Sequence, residues 1–127
     1  MNTFTCILLG HLIGDYLLQS NNMAVNKISS HIWCLKHCLV YTASVLFVVC
    51  IFVPSARETI WLFTSLVFIS HYPIDRYSFG LWWCTHVKRV PDAWWVNNPF
   101  APLIYATVDN TIHLVLMVVG AYICNLV

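Results

Sequence analysis

Four long apolar runs alternate with short polar segments along this chain. They cover about residues 3–19, 31–53, 58–76 and 102–124, the second stopping at Pro54. Each has roughly the 17–25 residues that a helix needs to cross a bilayer. Backbone polar groups in hydrocarbon must pair within their own segment, so each run predicts a helix. The expected fold class is all-α: a polytopic membrane protein, one domain over residues 1–127, built as a bundle of four transmembrane helices. An interfacial Trp-rich loop is expected between the third and fourth. The first run is expected to persist as a span rather than be cleaved as a leader. No Lys or Arg precedes it, no small-residue cleavage site follows it, and His11 and Asp15 lie inside it.

Composition narrows the class. Hydrophobic residues make up 60% and charged residues 9%, against about 25% charged in soluble domains. That excludes a soluble enzyme, a nucleic-acid binder and a disordered tail. The net charge of +1 adds nothing about partners. Its distribution does. Lys27 and Lys36 flank the first polar segment, Arg76, Lys88 and Arg89 the third, and Arg57 stands alone in the second. Positive residues favour the cytoplasm. The expected location is the inner cell membrane, multi-pass, with both termini on the non-cytoplasmic side.

The informative residues are ionisable groups at membrane depth. Three of the five acidic residues lie in or at the end of apolar runs, each four positions from a histidine. The strings are HLIGD (His11, Asp15), HYPID (His71, Asp75) and DNTIH (Asp109, His113). Residues four apart share a helix face, so three helices each present an imidazole beside a carboxylate. The remaining helix adds His37, with Tyr41 one turn on. In the expected topology all these groups fall in one layer of the cytoplasmic half. Unpaired, three aspartates at membrane depth would cost about 8–10 kcal/mol on the mildest insertion scale, comparable to the whole stability of a domain. Something must neutralise them.

A divalent metal does so with these residue types. Imidazole and carboxylate are ligands for zinc, iron and manganese, and zinc is the first expectation, as one or two ions. The candidate ligands are His11, Asp15, His37, His71, Asp75, Asp109 and His113. That is more than one tetrahedral ion takes, so either some carboxylates orient histidines or two ions share the site. The six cysteines form no CxxC pair. Cys34 and Cys38, one turn apart beside His37, are a minor thiolate alternative.

HLIGDYLLQSNNMAVNK, HCLVYT, HYPID and DNTIH occur in an order that resembles a bacterial and phage family of small membrane proteins, the domain of unknown function 3307. The resemblance covers nearly the whole chain. The family pattern is similar to HxxGDFxLQ, MAxNK, HxxxYT, HxxxD and DQxxH. This chain departs from it with Asn110 where glutamine is usual, and it has Pro73 inside the third pair, where a kink is expected. The HxxxD pairs look like those of membrane-bound metal-dependent hydrolases, which implies metal chemistry at the pairs.

Three functions remain. As a metal-dependent hydrolase acting on a lipid or lipid-linked substrate, the protein would use Asp15, Asp75 or Asp109 as the base beside a metal-activated water. Gln19, Asn26, Lys27 and Asn110 would hold the substrate. No serine or cysteine nucleophile with a matching base is evident. As a proton or metal-ion transporter it would use the same cluster as a relay, and so small a protomer would need to form a homo-oligomer. As a non-catalytic bacterial or phage regulator it would leave the pairs unexplained. Membrane lipids are the expected partners in each case. Trp82, Trp83, Trp94 and Trp95 around His86, Lys88 and Arg89 read as an interfacial anchor or as a headgroup clamp. On volume alone, Asp75→Asn is expected to leave folding largely intact.

Overall fold

The four apolar runs fold as helices, and the polar residues between them fix where each stops. In the computed structural model, which describes residues 2–126, every regular element is helical. Helix α1 (Thr3–Leu12) begins where the Asn2 side chain accepts the Thr5 amide at 2.8 Å, then widens into a π-turn at Ile13–Leu17. Ser20 caps a short α2 (Asn21–Asn26). Helix α3 (His31–Phe52) ends before Pro54, which opens a 3-10 turn, Pro54–Glu58. Helix α4 (Ile60–Arg76) runs through Pro73 as a single element. The long α7 (Ala101–Ile123) completes the bundle.

The first run therefore ends two residues earlier than expected, because Ser20 turns the chain into α2. The third begins at Ile60 rather than 58, because the proline-led turn occupies the intervening residues. The Trp-rich segment corrects the expectation of a loop. It folds as α5 (Phe79–Trp82), a π-turn (Trp83–Val87) and α6 (Asp92–Asn97). Ring stacking supports these short pieces: Trp82 lies 5.1 Å from Phe79 and 5.3 Å from His86, and Trp94 meets Trp95 edge-on.

The long elements alternate in direction. Thr3 Oγ1 donates to the Leu126 carbonyl at 2.5 Å and Thr59 Oγ1 to the Cys124 carbonyl at 3.1 Å. The chain ends and the 3-10 turn thus share one end of the bundle, and α2, α5 and α6 lie at the other. The interior is divided along the same axis. Ile7, Val45, Val49, Phe63, Met117 and Ala121 form an apolar core toward the termini. Toward the other end the buried residues are His11, His37, His71, Asp75, Asp109 and His113. Helices α1 and α3 approach closely because Gly10 and Gly14 face α3. A Cβ on Gly10 would stand 2.8 Å from the Val45 Cα, and one on Gly14 would stand 2.9 Å from the Tyr41 ring. Small residues four apart permit such contact.

Helices α3 and α7 are long and apolar enough to cross a membrane, with mean hydropathies of 2.0 and 1.5. Helices α1 and α4 are shorter.

Candidate metal centre

The four-residue spacing of each pair brings its histidine and aspartate to one helix face, and the bundle turns those faces toward one another. Asp75, fully buried, lies at the centre. Its Oδ2 is 2.9 Å from His37 Nε2 and 3.1 Å from His71 Nε2. Its Oδ1 is 2.9 Å from Lys27 Nζ and 3.8 Å from His113 Nε2. His37 Nε2 also lies 3.2 Å from Asp15 Oδ1 and 2.9 Å from His71 Nε2. His11 Nδ1 reaches Asp15 Oδ2 at 3.4 Å, and His113 Nδ1 lies 3.6 Å from Asp109 Oδ2. All seven residues singled out from the sequence are thereby brought into one cluster.

Hydrogen bonds around the cluster decide which ring nitrogens remain free. His113 Nδ1–H donates to the Asp109 carbonyl at 2.8 Å, which leaves the Nε2 lone pair facing inward with no partner. Gln19 holds His37 through Nδ1 at 3.0 Å. As placed, the Gln19 amide N–H donates to Nδ1 and lies 3.3 Å from Nε2, which puts the ring proton on Nε2, toward the carboxylates. A metal at Nε2 requires the Gln19 amide turned over so that its oxygen accepts Nδ1–H. His11 differs, since both its nitrogens are occupied. Nε2–H donates to Asn110 Oδ1 at 2.9 Å, and Nδ1 accepts from the Tyr41 hydroxyl at 2.9 Å. His11 thus offers no free lone pair and braces Tyr41, whose ring stacks on His71.

The donor set fits a metal. Asp15 Oδ1, Asp75 Oδ2 and His113 Nε2 are buried without an aligned hydrogen bond, although opposing nitrogens or oxygens stand within 2.9–3.8 Å. Asp15 belongs to one group of residues with close donor atoms, and Asp75 and His113 to a second. Ligands of a tetrahedral zinc with bonds of 2.0–2.1 Å lie about 3.3–3.4 Å apart. The His37–Asp15 separation of 3.2 Å and the His71–Asp75 separation of 3.1 Å are close to that. The two 2.9 Å contacts of His37 are a few tenths short of it. Two ligand trios result, Asp15–His37–His71 and His71–Asp75–His113, and both draw on His71.

The other expected roles divide. Lys27, read as a substrate contact, instead binds Asp75 directly. Burial alone would lower its pKa, but the carboxylates of Asp75 and Asp15 outweigh that and hold it above the ordinary lysine value. Gln19 and Asn110 contact His37 and His11, so they brace the cluster instead of facing a ligand. Asn26 lies outside it, its amide bonded back to the Asn22 carbonyl at 2.9 Å. Cys34 and Cys38 are buried, yet neither joins a ligand trio. Cys34 Sγ lies 3.8 Å from the Tyr72 carbonyl.

Of two bracing residues, sequence reasoning noted Tyr41 without giving it a role and missed Tyr16. Tyr41 stacks on His71 at 3.7 Å between ring centroids while holding His11. Tyr16 accepts from the Asn110 amide. The HxxxY spacing of His37 and Tyr41 was the available signal for the first; Tyr16 beside Asp15 carried none.

Fold and site together define a class: an all-helical bundle with a buried His/Asp cluster at one end. Residues 3–126 match the family described as proteins of unknown function, DUF3307, and the chain belongs to that family. No curated protein and no solved structure matches it.

Proposed function

We propose that this chain is a metal-dependent membrane hydrolase acting on a lipid or lipid-linked substrate. In this reading α1 with its π-turn, α3, α4 and α7 all cross the inner membrane. The outer surface supports that placement: Leu39, Phe47, Trp61, Ile69, Leu103 and Val115 are each more than half exposed, and an apolar exterior on this scale needs lipid around it. The observation that carries the metal assignment is the convergence of two overlapping trios, Asp15–His37–His71 and His71–Asp75–His113, in which Asp15 Oδ1, Asp75 Oδ2 and His113 Nε2 have no hydrogen-bond partner.

His71, Asp75 and His113 would hold the ion as three protein ligands with a fourth position open for water, His37 and Asp15 bordering it from the second trio, and zinc is the ion their nitrogen and oxygen donors suit. Both trios need His71, which favours about one ion per chain. A divalent ion there supplies a water whose pKa falls toward about 7. Asp75 is too enclosed to exchange protons with a substrate. Asp109 suits the base: its side chain is 10% exposed, its Oδ1 is unpartnered, and it stands behind His113. Lys27 fixes the orientation of Asp75 by holding Oδ1 and leaving Oδ2 toward the imidazoles.

A proton or ion pathway is the competing reading. The contacts from Asp109 through His113, Asp75 and His37 to Asp15 form a continuous series of ionisable groups. They lie in one layer across the bundle, however. Toward the termini the interior is apolar, with no buried ionisable His, Asp, Glu, Lys or Arg among the described residues. A relay needs groups along the axis, so the geometry favours a site over a path. The test is metal content of the purified protein together with hydrolysis of lipid esters by wild type and Asp109→Asn. Metal in both proteins and turnover only in wild type is the expected result. Metal-free wild type with proton flux in liposomes would replace the hydrolase reading.

A further inference from the structure

A groove of about 760 Å³ runs between α4 and α7, closed at one end by α5 and its π-turn. Its size falls in the range of small-molecule sites. Ser70 and Ile74 line it from α4, Val108 and Ile112 from α7, and Phe79 and Trp83 from the closing end. The first four are the immediate chain neighbours of His71, Asp75, Asp109 and His113. The groove therefore lies on the outer side of the same two helices that carry most of the cluster.

Its chemistry selects an occupant. The serine and threonine hydroxyls on its wall are already spent on their own helices, which leaves the Tyr77 phenol as its one other hydroxyl. Ser70 Oγ donates to the Val67 carbonyl at 3.2 Å, Thr107 Oγ1 to Leu103 at 2.8 Å and Thr111 Oγ1 to Thr107 at 2.7 Å. Beyond that phenol, what remains for a ligand is a surface of carbon, suited to a hydrocarbon chain. The closing end adds charge. The Lys88 amide bonds to the carbonyl of Trp83, a wall residue, at 3.1 Å, and Arg89 follows in a left-handed turn. Both are exposed and neither has an acidic partner among the described residues. Two unpaired cations in the turn that follows Trp83 at the closed end of an apolar groove complement an anionic headgroup on an aliphatic tail.

We infer that the α4–α7 groove is a binding site for an anionic phospholipid of the bilayer, its acyl chain against Ile74, Val108 and Ile112 and its headgroup at Lys88 and Arg89. This rests on the membrane reading above and not on the metal. It gives the Lys88–Arg89 segment a specific ligand rather than general interfacial attraction.

The test is native mass spectrometry of the full-length protein released from mixed micelles of phosphatidylglycerol and phosphatidylcholine. Wild type should retain one phosphatidylglycerol in preference to phosphatidylcholine by about 30-fold, the effect of two basic residues near an anionic surface. Lys88→Gln/Arg89→Gln, an exposed pair, should reduce that preference to near parity. Thr111→Phe, which fills the groove, should lose the retained lipid of either kind. Equal retention of both lipids by wild type, or an unchanged preference in the double variant, would overturn the inference. So would a change in oligomeric mass in place of lipid loss for Thr111→Phe, which would give the groove to a second copy of the chain. Metal content is read on the same samples and should be unchanged across them. Metal-free samples that keep lipid selectivity would reject the metal centre and leave the lipid site standing.

Discussion

Asp75 holds two kinds of partner on its two oxygens, imidazoles on Oδ2 and the Lys27 ammonium on Oδ1. That arrangement revises the expectation that Asp75→Asn is structurally mild. Asparagine keeps the volume but leaves Lys27 as a buried, unpaired cation, and breaking such a pair costs about 3–5 kcal/mol. Asp75→Asn is therefore expected to lower the unfolding midpoint in detergent, and adding Lys27→Met should restore most of the loss. An unaltered midpoint in Asp75→Asn would show the pair to be unimportant. The pH sign follows from the raised Lys27 pKa. The contribution of the pair is complete below the unfolded value of about 10.5 and is lost as pH rises through the higher folded value. Thermal melts of wild type and Lys27→Met should thus converge only in strong alkali. His11 and His113 provide a second contrast. His113 has a free inward Nε2 whereas both His11 nitrogens are bonded. His113→Ala should abolish high-affinity metal binding. His11→Ala should weaken it about 10–100-fold, as loss of an orienting partner does. Equal metal affinity in the two variants, measured by competition with a chelator, would remove the distinction.

The same contrast marks how far single residues could be read. The four-residue spacing placed three pairs, six residues, each on one helix face because helical period alone sets that; their common layer, with His37, followed from the alternation of the apolar runs. The spacing said nothing of tautomers, which depend on partners distant in sequence: Asn110 for His11 and Gln19 for His37. Lys27 was legible as a polar residue near the site, but its insertion onto Asp75 depends on how α2 folds back, and no local periodicity encodes that.

At the scale of elements, the close contact of α1 with α3 sets the distance across the cluster. Gly10 and Gly14 leave no room for a methyl group on the α3 side. Gly14→Ala would press on Tyr41, which in turn stacks on His71. Overpacking of this kind costs about 1–3 kcal/mol, so this variant should unfold at lower temperature and bind metal more weakly. A Gly14→Ala protein with wild-type stability and metal affinity would show that α1 has freedom to move away. The four long helices were legible because apolar length at 17 or more residues has few other meanings. The π-turn at Ile13–Leu17 was not, since an added residue within a helical run leaves the apolar pattern almost unchanged. The short α5 and α6 escaped for a different reason: stacked rings stabilise them in place of an amphipathic repeat.

At the scale of the molecule, one end is dry and apolar and the other holds the ionisable layer. The termini and the Pro54–Glu58 turn lie together at the dry end. In the membrane reading proposed above, the basic residues of the other end, Lys27, Arg76, Lys88 and Arg89, would put it in the cytoplasm on the charge rule. Single cysteines introduced at Lys88 and at Arg57 in a cysteine-free background should label from the cytoplasmic and the opposite side respectively. The reverse pattern would invert the topology without disturbing the cluster. The measurement closest to the central claim is metal stoichiometry by elemental analysis of the detergent-purified protein after saturation with zinc and removal of free ion. The account requires about one ion per wild-type chain and close to none in His71→Ala and His113→Ala. A folded wild-type protein that retains no zinc, iron or manganese would contradict it.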